Sequence, residues 1–145
     1  MYFFYYNKGF YIIAINPPYK MLKVLKNHYN NDEKYKKDKA FMKKFVKHIR
    51  TNNYYNYASQ GTLNFYKFFI EEILEDYSHN TSNIGLLIPI NLLSDKYCEK
   101  LRKRIINNYQ LSKVYTISEN NKYFVDSSQG LAIMVINKEK KDSKI

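Results

Sequence analysis

The sequence has no tryptophan, one cysteine, three prolines and four glycines in 145 residues, and acidic side chains are outnumbered almost two to one. Each shortage excludes something. A lone Cys98 cannot form an intramolecular disulfide, and it cannot anchor a cysteine-rich metal site. The histidines His28, His48 and His79 share no ligand spacing, so no metal is expected. None of the glycines (Gly9, Gly61, Gly85, Gly130) forms a G-x-G pair, which leaves no glycine-rich phosphate loop. The apolar opening "MYFFYYNKGFYIIAI" is broken by Asn7, Lys8 and Gly9. It lacks a basic head and a small-residue cleavage site, and it is too short to span a bilayer. A cytoplasmic protein without a membrane segment is the expectation.

Aromatic residues are abundant, with 16 Tyr and 9 Phe, as are Lys, Asn and Ile. All have A/T-rich codons, so bulk composition says little. The distribution of charge says more. Of the net +11, the stretch 20–50 carries +8, from 11 Lys/Arg against Asp32, Glu33 and Asp38. A codon bias spreads lysine evenly; a cluster suits a polyanion held through its phosphates. Lys20, Lys23, Lys36, Lys37, Lys43, Lys44 and Lys47 are the candidate phosphate contacts.

Hydrophobic periodicity sets out an α/β order. "FYIIAI" (10–15) reads as a strand buried on both faces. A polar stretch to about Lys37 reads as a loop. "KAFMKKFVKHIR" reads as an amphipathic helix, with Phe41, Met42, Phe45, Val46 and Ile49 inward. "TLNFYKFFIEEILEDY" reads as a second helix burying Leu63, Tyr66, Ile70, Ile73 and Leu74, with Glu71, Glu72, Glu75 and Asp76 on its outer surface. "SHNTSN" reads as a linker and "IGLLIPI" as a buried strand. A helix capped by Asp95 runs to about Asn108, with Cys98, Leu101 and Ile105 inside and "LRKR" on its solvent face. "SKVYTI" and "GLAIMVIN" form a final antiparallel strand pair, joined by "SENNKYFVDSSQ". "SSQG" matches no nucleophile elbow. One domain over residues 1–138 is expected, with a basic insert at 20–50 and a frayed tail at 139–145.

The most specific chemistry lies at the end of the first strand, in "IIAINPPYKML". In open α/β sheets ligands bind beyond the carboxyl ends of strands, and Asn16-Pro17-Pro18-Tyr19 stands there. The Asn16 amide oxygen and the Pro17 carbonyl are acceptors, and the two prolines lock the backbone that aims them. Two rigid acceptors match the two hydrogens of an exocyclic amino group, and Tyr19 supplies a flat face for its ring. Such an amine is a poor nucleophile while its lone pair is delocalised. Acceptors that favour the pyramidal nitrogen act on the transition state, and the fitting electrophile is the methyl sulfonium of S-adenosylmethionine.

"IIAINPPY" resembles the fourth motif of amino-methyltransferases. "GTLNFYKFFIEEILE", "NIGLLIPINLLSDKYCEKLRKRIINNYQLSKVYTI" and "YFVDSSQGLAIMVINK" are similar to the segments that follow it in the adenine-N6 DNA methyltransferases of restriction–modification systems, including the Taq-like group. The resemblance runs from Phe10 to Lys138. It implies part of a Rossmann-like methyltransferase sheet, mostly parallel with an antiparallel final strand pair and flanking helices. It implies that Asn16 and Pro17 bond the adenine amino group, that Tyr19 stacks on an extruded base, and that Phe124 touches that base from another side. DNA is the implied partner and S-adenosylmethionine the implied cofactor. The sequence departs from the family in lacking the glycine-rich cofactor loop upstream of Asn16 and the target-recognition domain downstream. The expectation is a truncated or split enzyme, inactive alone, that docks onto a complementary chain.

Two other readings use the same residues. Glutamine-N5 protein methyltransferases share N-P-P-Y, but the Glu-Pro and Gly-Gly pattern that follows it there has no counterpart in "KMLKVLKNHYNND". A non-catalytic remnant that binds nucleic acid or a subunit fits the missing cofactor loop.

Overall fold

The computed structural model describes residues 9–119 and 130–139. Four strands form one sheet: β1 (Phe10–Ile15), β2 (Ser78–Pro89), β3 (Gln110–Ile117) and β4 (Leu131–Asn137), in the order β1-β2-β4-β3. β1 and β2 are parallel, and β4 lies antiparallel to both β2 and β3. Three strands therefore point one way, with the last strand inserted against them. This is the mostly parallel α/β sheet, closed by an antiparallel pair, that the sequence pattern predicts.

Between β1 and β2 lie α1 (Asp32–Thr51) and α2 (Phe65–Glu72), the latter running into a π-helical turn over Ile73–Tyr77. After β2 come a single turn, α3 (Asn91–Ser94), a 3₁₀ turn (Lys96–Cys98) and α4 (Glu99–Asn108). The main core is the seam between the sheet and α2 and α4. Ile84, Leu86 and Ile88 of β2 and Met134 and Ile136 of β4 meet Ile70, Leu74, Leu101 and Ile105 there. The expected inward residues of both helices are all buried. A smaller cluster of Leu22, Ala58, Leu63 and Phe68 carries α1 through Met42, Val46 and Ile49.

Several expectations are corrected. β1 is not buried on both faces. It is an edge strand with Ile13 and Ile15 toward the helices, while Ile12 on the opposite face is 79% exposed. That open face continues through Tyr115 of β3 and Ile133 of β4, both exposed. The stretch 78–83 is not a linker but the first half of β2. Its polar side chains misled the pattern because they bond main-chain carbonyls: Ser82 is fully buried and its hydroxyl donates to the Phe10 carbonyl of β1, while Ser78 donates to Leu74. The presumed loop to Lys37 ends at Asn31, whose side chain accepts from the N–H groups of Glu33 (2.8 Å) and Lys34 (3.0 Å), with Asp32 and Glu33 in the first turn. An N-cap followed by acidic residues is a start signal. The capping residue of the second helix is Asn64. Asp95 does cap, donated to by Tyr97 N–H at 2.8 Å, but it opens the 3₁₀ turn that precedes α4.

Glu71 does not lie on an outer surface. It is buried, and its carboxylate accepts from the main-chain N–H groups of Asn56 (2.6 Å), Tyr57 (3.1 Å) and Ala58 (2.7 Å). Burial raises its pKa, and these three donors oppose the rise. Lys67, one helical turn earlier and also buried, donates to Gln60 O at 2.7 Å, and Arg50 donates to Gly61 O at 2.6 Å. Segment 56–61 is thus stapled to α2 and α1 by charged groups. Gly61 closes it at φ +60°, where a side chain would also strike the Tyr97 ring. Glu75 and Arg104 form a two-pronged ion pair at 2.7 and 2.8 Å that ties α4 to the turn after α2.

Replacing Glu71 by Ala removes the acceptor of three main-chain donors, that of Ala58 buried, and is expected to destabilise the fold by about 2 kcal/mol. Asp76→Ala, on the exposed side of the same turn, is expected to stay within about 0.5 kcal/mol. Thermal melts of the two variants check the contrast; equal effects would refute the buried staple.

Candidate active site

The parallel pairing of β1 with β2 puts their carboxyl ends side by side. Ile15 pairs with Leu86, so Asn16-Pro17-Pro18-Tyr19 leaves the sheet beside the Leu87–Pro89 end of β2. The chain then turns back. Leu22 N–H bonds Leu63 O (2.9 Å), Phe65 N–H bonds Lys20 O (3.1 Å), and the Asn64 amide donates to Tyr19 O (3.2 Å). These bonds clamp the segment after Tyr19 onto the start of α2, so the turn cannot swing freely.

Within the turn Pro17 is buried, whereas Asn16 and Pro18 are exposed. Tyr19 is half-buried. Its hydroxyl donates to the Leu87 carbonyl at 2.9 Å, and its ring meets Tyr66 edge-on, with centroids 6.5 Å apart at 85°. Burial pushes its pKa up, so the phenol stays protonated and keeps that bond. Beside it opens a hollow of about 370 Å³, walled by Tyr19, Asn64, Tyr66, Lys67, Asn91 and Asp95 among others. A space of that size suits a small ligand or a ring system. Asn16 is not among its walls and stands at the outer end of β1.

Lys67 is the wall residue that sequence reasoning misses. A signal existed: it lies four residues after Leu63 and three before Ile70, on the buried stripe of α2. Burial lowers its pKa. Tyr66 reaches the Cys98 thiol at 3.5 Å, and desolvation raises its pKa strongly. Cys98 is buried and is a packing residue.

The lysine candidates Lys20, Lys23, Lys36, Lys37, Lys43, Lys44 and Lys47 are all exposed. They are not on one surface. Lys20 and Lys23 line a groove on one flank of α1; Lys23, Lys43 and Lys47 line a second groove with Lys39 and Arg50 on the other flank. Phe124 lies outside the described residues. Among the described residues no group of three His, Cys, Asp or Glu is placed to hold a metal, and no helix is long and apolar enough to cross a membrane.

No protein-family model and no curated protein matches the sequence. Solved structures do. One is a crystal structure described as a class I S-adenosylmethionine-dependent methyltransferase from Listeria monocytogenes. It superposes with a TM-score of 0.58 over 94% of this chain, at 17% identity. The fold is that of a class I methyltransferase sheet. The chain spans about a third of that structure's length, 34% of it.

The hollow does not fit S-adenosylmethionine. A ribose in such folds is held by a free carboxylate, and the carboxylate here, Asp95, is turned to the Tyr97 N–H. The Lys67 ammonium beside it would also repel a sulfonium. The hollow suits a neutral, ring-bearing group. Calorimetry on the chain alone is expected to show no micromolar affinity for S-adenosylmethionine; a micromolar Kd would contradict this assignment. Tyr19→Phe is expected to cost about 1 kcal/mol through the lost bond to Leu87, read from denaturant unfolding. An unchanged midpoint would show that the bond does not hold the turn.

Proposed function

We propose that this chain supplies the acceptor side of a methyl transfer from S-adenosylmethionine to the N6 amino group of adenine in DNA. The observation that carries the reading is the placement of Asn16-Pro17-Pro18-Tyr19. It leaves the sheet where two parallel strands end, with its backbone fixed by two prolines and its tyrosine walling a ring-sized hollow.

In this reading the Asn16 amide oxygen and the Pro17 carbonyl accept the two amino hydrogens. They favour the pyramidal nitrogen, whose lone pair is free to attack, and Tyr19 supports the ring. The nitrogen becomes cationic as the new bond forms and loses its proton afterwards, so no strong base is required. The adenine leaves the helical stack to arrive there, because its N6 is inaccessible within the duplex. The donor would be held by elements other than those around the hollow. A complementary body that carries the donor site would extend the sheet beyond β1, the outer strand among the described residues, and cover the exposed face at Ile12 and Ile133. Apolar burial is what such a face favours.

A second reading, a nucleic-acid-binding module without catalysis, is favoured by the cationic grooves along α1. One experiment separates the two. The chain is expressed with the genes that flank it in a host whose DNA lacks N6-methyladenine, and the nucleosides are measured by mass spectrometry. The methyl-transfer reading expects N6-methyladenine with the native chain and a loss of a thousandfold or more with Asn16→Ala. Binding of that variant to DNA should stay nearly unchanged. Absence of the modified base with the native chain would favour the binding module.

A further inference from the structure

The two aromatic residues expected to face inward on α1 do not. Its inner face is made by Met42, Val46 and Ile49. Phe41 is 67% exposed and Phe45 39% exposed, and their rings lie nearly parallel, 6° apart in plane with centroids at 6.3 Å. Both rings line a groove of about 760 Å³ between α1 and the segment from Lys20 to Asn31. Lys20, Lys23 and Lys34 also line it. Its one carboxylate, Asp38, already accepts from the Tyr29 hydroxyl at 3.0 Å. The groove is thus an apolar, aromatic shelf set among cations.

We infer that this groove holds an unpaired nucleic-acid strand, with bases stacked on Phe41 and Phe45 and phosphates on Lys20, Lys23 and Lys34. Three observations favour this occupant. Aromatic platforms combined with a cationic track are how single strands are bound with little sequence preference, since every base has a π face. A duplex hides those faces within its own stack, so it could use the lysines but not the rings. A protein partner covering the rings would have to desolvate the lysines without a compensating carboxylate, whereas a phosphate chain neutralises them.

The groove also adjoins the hollow beside Tyr19. Lys20 follows Tyr19 directly, and Met21, 46% exposed, lines both spaces. A strand lying in the groove would pass its next base over Met21 into the hollow. The inference deepens the acceptor-side reading: the nucleotides beside the target would also be drawn out of the duplex.

The test measures fluorescence anisotropy of a labelled 20-nucleotide thymidine strand, and of a duplex of equal length, with the full chain and no methyl donor. A strand without adenine keeps the result independent of the methyl-transfer reading. The wild type should bind the strand about tenfold tighter than the duplex. Phe41→Ala/Phe45→Ala should weaken strand binding about tenfold, within the range of one to two lost stacking contacts, and leave its salt dependence unchanged. Lys23→Gln/Lys34→Gln should instead reduce the slope of log affinity against log salt by about 1.4, at about 0.7 per contact. Thermal melts of both double variants should match the wild type, since all four side chains are exposed. Equal binding of strand and duplex would overturn the inference. So would a phenylalanine variant that binds the strand normally, or one whose main effect is to dissociate a dimer.

Discussion

Two strands that run parallel in a sheet must end at the same rim, and the turns that follow them are forced together. Here β1 and β2 bring Asn16-Pro17-Pro18-Tyr19 against the Leu87–Pro89 end of β2, and the Tyr19 hydroxyl locks the contact on Leu87. Everything proposed about chemistry depends on that junction. If β1 paired elsewhere, the N-P-P-Y turn would have no second wall, and Tyr19 no carbonyl to hold its ring beside the hollow.

The loop that leads into the hollow's wall at Thr62 and Asn64 is held in an unusual way. Segment 56–61 has little apolar content to anchor it. It is held by the ionised groups of Glu71, Lys67 and Arg50, each bonded to main-chain atoms. Glu71 and Lys67 are buried, and buried charges are costly to strand, so these two fix one arrangement of the loop rather than adding much net stability.

Much of the fold is legible in the amino-acid sequence. The run "FYIIAI" into "NPPY" announces a strand and the turn at its rim, and the stripe Tyr66, Ile70, Leu74 announces the helix behind it. What periodicity missed has physical reasons. "SHNTSN" carries no apolar alternation, because Ser78 and Ser82 satisfy main-chain carbonyls instead of packing. Lys67 and Glu71 occupy core positions that a hydropathy reading assigns to solvent. Phe41 and Phe45 have the residue type of a core and the placement of a surface, which no pattern of types can separate. The exposure of β1 depends on which strands lie beyond it, and that is not a local property of six residues.

The central claim is that a base rests against Tyr19 at the rim shared by β1 and β2. Photo-crosslinking tests it most directly: an oligonucleotide carrying 8-azidoadenine is bound to the chain, irradiated, and the modified peptide located by mass spectrometry. The account predicts that the label falls on Tyr19 or a neighbouring wall of the hollow, and that Asn16→Ala reduces it. A label confined to the far face of α1, with Tyr19 unmodified, would contradict it.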